Sequence, residues 1–470
     1  MSMRSLSPES PRQLKPYGAY HLRQTPEPDA ELTRTGPGTP MGEYMRLFWQ
    51  PVCLSQELGD LPKAITIMGE KLVAFRDRGG RVGVLQRHCP HRGASLEFGI
   101  VQKTGIRCSY HGWLFDVDGT VLETPCEPAG SPRKDTAIQG AYPAIERDGL
   151  VFAYLGPPEK RPKFPEYDSY TVPAGNRLVP FSNIYPCNWL QVCENIMDHM
   201  HTAVLHNNMT VEGVDAAIAA GTSLAGFGDM PTMLWEATRD GNAMVFVAAR
   251  RLPDNKVWIR ISEMVLPNYT QIGSLASTAS KYRHSTTSLT RWHVPVDDTN
   301  MIIFGWRHFN TEIDPEGLGH PEECGVDRID FLVGQTGSRS YDEGQRAPGD
   351  WEVICSQRPI AIHALEHPAS SDAGVQRYRR LLRDAVAGKT GPDTSFHPEC
   401  GETIHQYAQD SVLVVPPKAG TDDKALLLEL NRRVLALMQE ADAVPRAQRD
   451  RHVRRRLDEI EREITDKEGR

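Results

Sequence analysis

A chain of 470 residues with 39% hydrophobic content is long enough for two or three domains with sizeable cores, which excludes a disordered tail or linker. No run of about 18 apolar residues occurs, and the opening MSMRSLSPESPRQLKPYG has charge and proline where a signal peptide needs an apolar stretch, so a soluble, cytoplasmic protein is expected. The formal net charge of -8 and the absence of a long basic patch speak against nucleic acid as a partner, while nine cysteines spread from Cys53 to Cys400 suit a reducing compartment better than a disulfide scaffold.

In chain order, residues 1–44 are rich in Pro, Ser, Gly and Thr without periodicity and predict an N-terminal arm with little structure of its own. Residues 45–157 carry short apolar runs, Lys71–Phe75, Val82–Leu85 and Gly149–Tyr154, separated by Gly-containing turns, the pattern of a small β domain. Four prolines in the ten residues Gly156–Pro165 mark a boundary. The second domain, 158–420, alternates in Ala243–Arg250, Val257–Val265 and Met301–Trp306, which predicts strands, and has helical spacing over 188–207 and 373–387, so it reads as α+β. The remainder, 421–470, mixes charges with Leu426, Leu427, Leu430, Val434 and Leu437 and predicts a charged helix interrupted near Val444-Pro445.

Cys89-Pro-His91 is followed, after sixteen residues, by Cys108-Ser-Tyr-His111. Each pair mixes thiolate with imidazole, as needed where two cysteines hold one iron of a two-iron cluster and two histidines the other. Structural zinc would more often show Cys-x2-Cys with its histidines three to five apart. Downstream, Asp198, His201 and His206 fall within nine residues. Two histidines and one carboxylate on one face of a metal form the non-haem iron triad, and His201 and His206 are the candidate pair. Residues five apart on an ideal helix differ by about 140° in direction, so both can face one metal only if the helix is distorted or ends between them, and such an irregularity is predicted. Asp198 lies three residues before His201, on nearly the same face, where it can orient the imidazole.

Cys89-Pro-His91-Arg92-Gly93 with Cys108-Ser-Tyr-His111-Gly112-Trp113 resembles the Rieske motif of aromatic ring-hydroxylating oxygenase α subunits. Leu32–Trp49 resembles the entry to their phthalate dioxygenase-like and O-demethylase branch, and the similarity runs from about 32 to 390. The resemblance implies an all-β Rieske domain followed by an α+β catalytic domain with a central antiparallel sheet of START or helix-grip type. It implies Cys89, His91, Cys108 and His111 as ligands of one [2Fe-2S] cluster. Glu194-Asn195-x-x-Asp198-x-x-His201-x4-His206 is similar to the family's iron motif, which makes His201 and His206 ligands of one Fe(II), Asn195 a polar neighbour, and Asp198 a bridge to His111 of the adjacent subunit. Among Glu366, Asp372 and Asp384, Asp372 is chosen as third ligand because the family places its carboxylate at a similar helix start, although an Asp there is often only a cap. His199 falls outside the pattern and reads as a surface or core-edge residue, and His284, Trp292 and Trp306 are as readily core as pocket.

No G-x-G-x-x-G follows a strand, so NAD(P)H must be oxidised by a separate reductase bearing flavin and an iron-sulfur centre, with or without a ferredoxin. The expected activity is O2-dependent hydroxylation or O-demethylation of a carboxylated or methoxylated aromatic by a homotrimer. Ring cis-dihydroxylation is the alternative, and a pure Rieske electron-transfer protein would leave the second constellation without a use.

Overall fold

The computed structural model describes residues 16–17, 19, 24–206, 230–273, 283–311, 319–330, 333–390, 403–417, 420 and 422–466. Residues 24–44 depart from the expected loose arm. Pro40 opens the short helix Pro40–Met45, and Thr39 caps it by accepting from Gly42 N at 3.2 Å. That helix and Ala30–Thr33 bury Leu32, Met41 and Met45. Polar ties fix the segment too, since Asn188 Nδ2 donates to Thr33 O (2.9 Å) and Arg34 pairs with Asp298 (2.8 Å). Apolar residues spaced by chance-like intervals thus find a shared core that no local periodicity announces.

Three small antiparallel sheets build the first domain. Trp49–Leu54 pairs with Leu150–Tyr154, which pairs with Ala144–Arg147; Lys63–Ile67, Glu70–Arg76, Val82–Gln86 and Ala141–Tyr142 form a second sheet. Met68 and Gly69, both at positive φ, make the two-residue hairpin between Ile67 and Glu70, a turn whose twist matches the strands. The third sheet consists of the two- and three-residue strands Ile100–Val101, Ile106–Arg107, Leu114–Phe115 and Val121–Glu123. Its core of Val73, Phe75, Leu85, Leu96, Ile106 and Phe115 also encloses Cys89 and Cys108.

The second domain is a nine-stranded sheet whose main path runs Arg177–Tyr185, Met301–Phe309, Leu289–Pro295, Tyr269–Ile272, Lys256–Val265, Ala243–Leu252 and Thr232–Thr238, every pairing antiparallel. Helices cover both faces. Met244, Phe246 and Ala248 point into the core shared with Trp189–Met197 and Ala373–Val386. The alternating Val245, Val247 and Ala249 meet the helices Asp423–Glu440 and Arg446–Asp466 through Leu430, Val434, Leu457 and Ile460. Phe152 of the first domain packs against Trp292 and Trp306 (ring centroids 5.2 and 6.0 Å), so the two domains share one apolar core. The same contacts make Trp292 and Trp306 core residues, while His284 Nδ1 meets Gln409 on the far side beneath the C-terminal helices. Among the described residues no helix is long and apolar enough to cross a membrane.

Candidate metal centres

Two loops of the first domain repeat one backbone turn. Cys89 N donates to Ala94 O (2.9 Å) and Gly93 N to Cys89 O (2.8 Å); Cys108 N donates to Trp113 O (2.8 Å) and Gly112 N to Cys108 O (3.0 Å). Gly93 and Gly112 close the two turns at φ 75° and 73°, a conformation that other residues adopt only under strain. Within this shared turn the histidine sits two residues after Cys89 but three after Cys108. The cysteines are buried in the small core, whereas His91 and His111 lie half-buried at its edge, ring centroids 4.5 Å apart. Trp113 stacks on His91 at 4.9 Å, within 4° of parallel, and fixes that ring. Among the described residues the buried Nδ1 of His111 finds no hydrogen-bond partner, as expected of a nitrogen reserved for a metal. Two thiols and two imidazoles converging from paired loops fit the donor set of a Rieske [2Fe-2S] cluster.

The second centre forms where a helix stops. Asn188 caps Trp189–Met197 by accepting from Leu190 N (3.1 Å), and the chain leaves helical geometry at Asp198 (φ -94°, ψ 90°). A short 3-10 turn, His201–Ala203, follows. The break brings His201 and His206 to one side, ring centroids 5.2 Å apart. His201 Nδ1–H donates to the carbonyl of Asp198, which leaves Nε2 facing inward. Opposite them stands Asp350, the first residue of helix Asp350–Cys355, 3.5 Å from His201 Nε2 and 3.6 Å from His206 Nε2. These gaps exceed a hydrogen bond. One ligand atom from each of the three residues lies within 4.8 Å of the others, so they surround a space instead of closing on one another, which fits a two-histidine, one-carboxylate iron site.

Electrostatics suit the same use. Burial holds His206 below the usual histidine range, against the pull of Asp350. Burial also opposes ionisation of Asp350, but His206, His201 and the amide of Gln335, which donates to its Oδ2 at 2.6 Å, outweigh that and hold the carboxyl below its ordinary range. A cavity of about 80 Å³ opens beside the three, walled by Val192, Ile196, Phe246, Leu289, Ile303 and Ile354.

Residues 48–143 match the family described as Rieske [2Fe-2S] domain. The chain is 58% identical over 453 residues, covering 95% of it and 96% of the relative, to the tert-butanol monooxygenase / tert-amyl alcohol desaturase oxygenase subunit of Aquincola tertiaricarbonis. It is 31% identical to the phthalate 4,5-dioxygenase oxygenase subunit of Pseudomonas putida, over 77% of this chain and 86% of that one. The chain belongs to the oxygenase subunits of the Rieske non-haem iron oxygenases. Dicamba monooxygenase bound to dicamba shares the fold at a TM-score of 0.54 and 19% identity, covering 73% of this chain and 98% of that one. As a Rieske oxygenase component the protein carries a [2Fe-2S] cluster with a mononuclear iron, incorporates oxygen from O2, and works with a separate reductase.

The Rieske oxygenase does not place Asp372 with the two histidines. Its Oδ2 accepts from Ala369 N at 2.6 Å, closing the turn that precedes helix Ala373–Val386, and it is Asp350 that stands with His201 and His206. Of the other carboxylates, Asp384 pairs with Lys389 (2.8 Å) and Glu366 with Arg379. Asn195 stands near the site, Nδ2 3.5 Å from Asp350 Oδ1. Asp198 lies on its outer edge: Oδ1 accepts from Met200 N (3.0 Å), Oδ2 is 3.9 Å from His201 Nδ1, and the side chain is 32% exposed to an open groove. His199, expected at the surface or core edge, is buried, stacks on Phe246 at 4.6 Å and meets Arg250 at 3.2 Å. Gln335, Asp350, His199 and Arg291 all line the cavity and were absent from the sequence-derived site.

Beneath the groove, Arg379 forks onto Glu194 (2.6 and 2.7 Å) and Glu366 (2.6 and 2.9 Å). Burial pushes the enclosed Glu194 carboxyl up, with Arg379 opposing it, while Arg379 stays charged against burial by sharing two carboxylates. Arg379→Ala should therefore lower unfolding stability by about 3–5 kcal/mol, because it strands Glu194 in the core. Denaturant unfolding checks this, and a loss under about 1 kcal/mol would show the network to be solvent-relaxed.

Proposed function

We propose that His201, His206 and Asp350 hold the mononuclear iron, that Cys89, His91, Cys108 and His111 hold the cluster, and that the protein hydroxylates a compact, branched, oxygen-bearing substrate. The observation that carries the reading is the convergence of His201, His206 and Asp350 beside a small cavity in a chain that also bears the paired Cys/His loops. Bound there, the iron would activate O2 with electrons delivered one at a time through the cluster. The chain's own residues do the rest. Asp198 O and Gln335 fix the ring of His201 and the carboxylate of Asp350, and apolar walls exclude water from the reacting carbon. The cavity is far below the roughly 300 Å³ at which drug-sized pockets begin, and the name of the relative at 58% identity is that of an enzyme of tertiary alcohols. Both favour a compact substrate.

The phthalate 4,5-dioxygenase relative favours a second reading, oxygenation or O-demethylation of a carboxylated or methoxylated aromatic. Turnover with a reductase and NAD(P)H, against tert-butanol, phthalate and a methoxybenzoate, separates the two, with 18O from 18O2 read in the hydroxylated products of the first two and O-demethylation of the third read as released phenol and formaldehyde. No label in the former and no formaldehyde from the latter would remove both. Cytoplasmic reducing conditions suit its free thiols. Electron delivery is assigned to a homotrimeric ring in which Asp198, exposed on its groove, meets His111 of the next subunit. Cys108→Ala should abolish the visible absorption of the cluster and all turnover while leaving the mononuclear iron in place, as metal analysis will show; a retained Rieske spectrum would contradict the ligand assignment.

A further inference from the structure

Strand Leu289–Pro295 turns Leu289, Arg291 and His293 toward the cavity beside the three proposed iron ligands. The alternating Thr290, Trp292 and Val294 face the other way, where Trp292 packs on Phe152. Arg291 is only 9% exposed, and its Nε is enclosed without a hydrogen-bond partner. Among the described residues it forms no ion pair, in contrast to Arg260, another buried arginine of the cavity wall, which forks onto Asp410 at 2.9 and 3.0 Å. Burial works against the charge on Arg291, only partly offset by Tyr185 and Asp350. A guanidinium keeps its proton even so, and with five donors and no acceptor it can be satisfied only by an acceptor. Next to it His293 is fully buried; Nε2 meets Thr270 Oγ1 at 3.2 Å, while Nδ1 has no partner. Burial and Arg291 hold this imidazole well below its usual range, so it is neutral. A buried unpaired cation is costly wherever it is not used, and these two unfilled groups share one strand face of the cavity wall.

We infer that Arg291 and His293 form a substrate-anchoring subsite that grips an acceptor oxygen, a carboxylate or hydroxyl, of a compact substrate and leaves its alkyl part toward His201, His206 and Asp350. The inference rests on reading this cavity as the substrate site. Arg291 and His293 act as positioning and specificity residues, deciding which molecules enter and which carbon is presented. A carboxylate gains both charge and a two-pronged contact from the guanidinium, and a neutral hydroxyl gains a single contact.

Calorimetric titration of the anaerobic holoenzyme with pivalate and with tert-butanol, which share a tert-butyl group, tests it without turnover. A failed oxygenase reading, seen as no product under O2, is thereby distinguishable from a failed anchor. The wild type should bind at least one probe. Arg291→Met should weaken pivalate about 10- to 100-fold and tert-butanol less, with Arg291→Lys intermediate for pivalate because it keeps the charge and loses the fork. Benzene, which has no acceptor oxygen, should bind the Met variant as it binds the wild type. Equal affinity of wild type and Arg291→Met for both oxygenated probes overturns the inference. So does an equal loss for benzene, which would mean a collapsed cavity, and so does the absence of wild-type binding to either probe. Iron content and cluster absorption of each variant must match the wild type, and if the Met protein does not fold, the Lys protein with His293→Gln carries the same comparison.

Discussion

Asp350→Asn is expected to keep the visible spectrum of the cluster, lose the mononuclear iron and reduce turnover by more than about 100-fold, since even the outer partners of metal ligands typically contribute 10- to 100-fold. The carboxylate stands 3.5 and 3.6 Å from the two inward-facing imidazole nitrogens, and an amide there offers a neutral oxygen, or a nitrogen that cannot ligate. Asp372→Asn is the control. Its carboxylate serves a local turn, so that protein should keep both kinds of iron and lose no more than the roughly 1 kcal/mol of a helix cap. Iron analysis after gel filtration, paired with the cluster spectrum, reads both variants. Iron lost from Asp372→Asn and kept by Asp350→Asn would make Asp372 the third ligand and exclude Asp350.

The contrast between these two aspartates shows what the sequence holds and what it withholds. Asp350 and Asp372 both stand at the start of a helix, and local pattern treats them alike. What separates them is a long-range fit: a Cβ on Gly349 would lie 2.6 Å from Gly334 Cα, and Trp351 N donates to Gly334 O at 2.9 Å, so two loops in near backbone contact aim Asp350 at the histidines. A Gly-Asp pair before a helix was the one trace of this in the chain. The Cys/His loops, by contrast, are legible because their chemistry is local, with each cysteine, histidine and turn glycine inside five or six residues. That one regular helix could not run through this segment was readable, because five residues of it cannot aim His201 and His206 at one point, but the helix stops earlier than that argument places the irregularity, at Met197, and a 3-10 turn begins at His201. Arg291 and His293 escaped notice for another reason. On a sheet covered by helices on both sides, alternation no longer separates core from solvent, and a charged residue in a buried strand looks like an edge position until its neighbours are known.

Asp198→Asn should retain both metals and fold normally, yet pass electrons from cluster to iron roughly 10- to 100-fold more slowly. The aspartate ends the helix that leads to His201: its carbonyl accepts from His201 Nδ1–H, and its side chain turns outward, 32% exposed, on a groove large enough to receive a protein loop. In the other domain, His111 sits half-buried at the edge of its loop, with Tyr110 beside it 55% exposed. A carboxylate at the groove can accept from a histidine of a neighbouring subunit while keeping the geometry around His201, and an amide cannot accept equally from both sides. The backbone carbonyl is untouched by the substitution, which is why iron binding should survive. Single-turnover kinetics on the pre-reduced protein measure the transfer step, and the mass in solution shows whether a ring is present. Wild-type transfer rates in Asp198→Asn, or full activity from a monomer, would end the inter-subunit path and require cluster and iron to communicate within one chain.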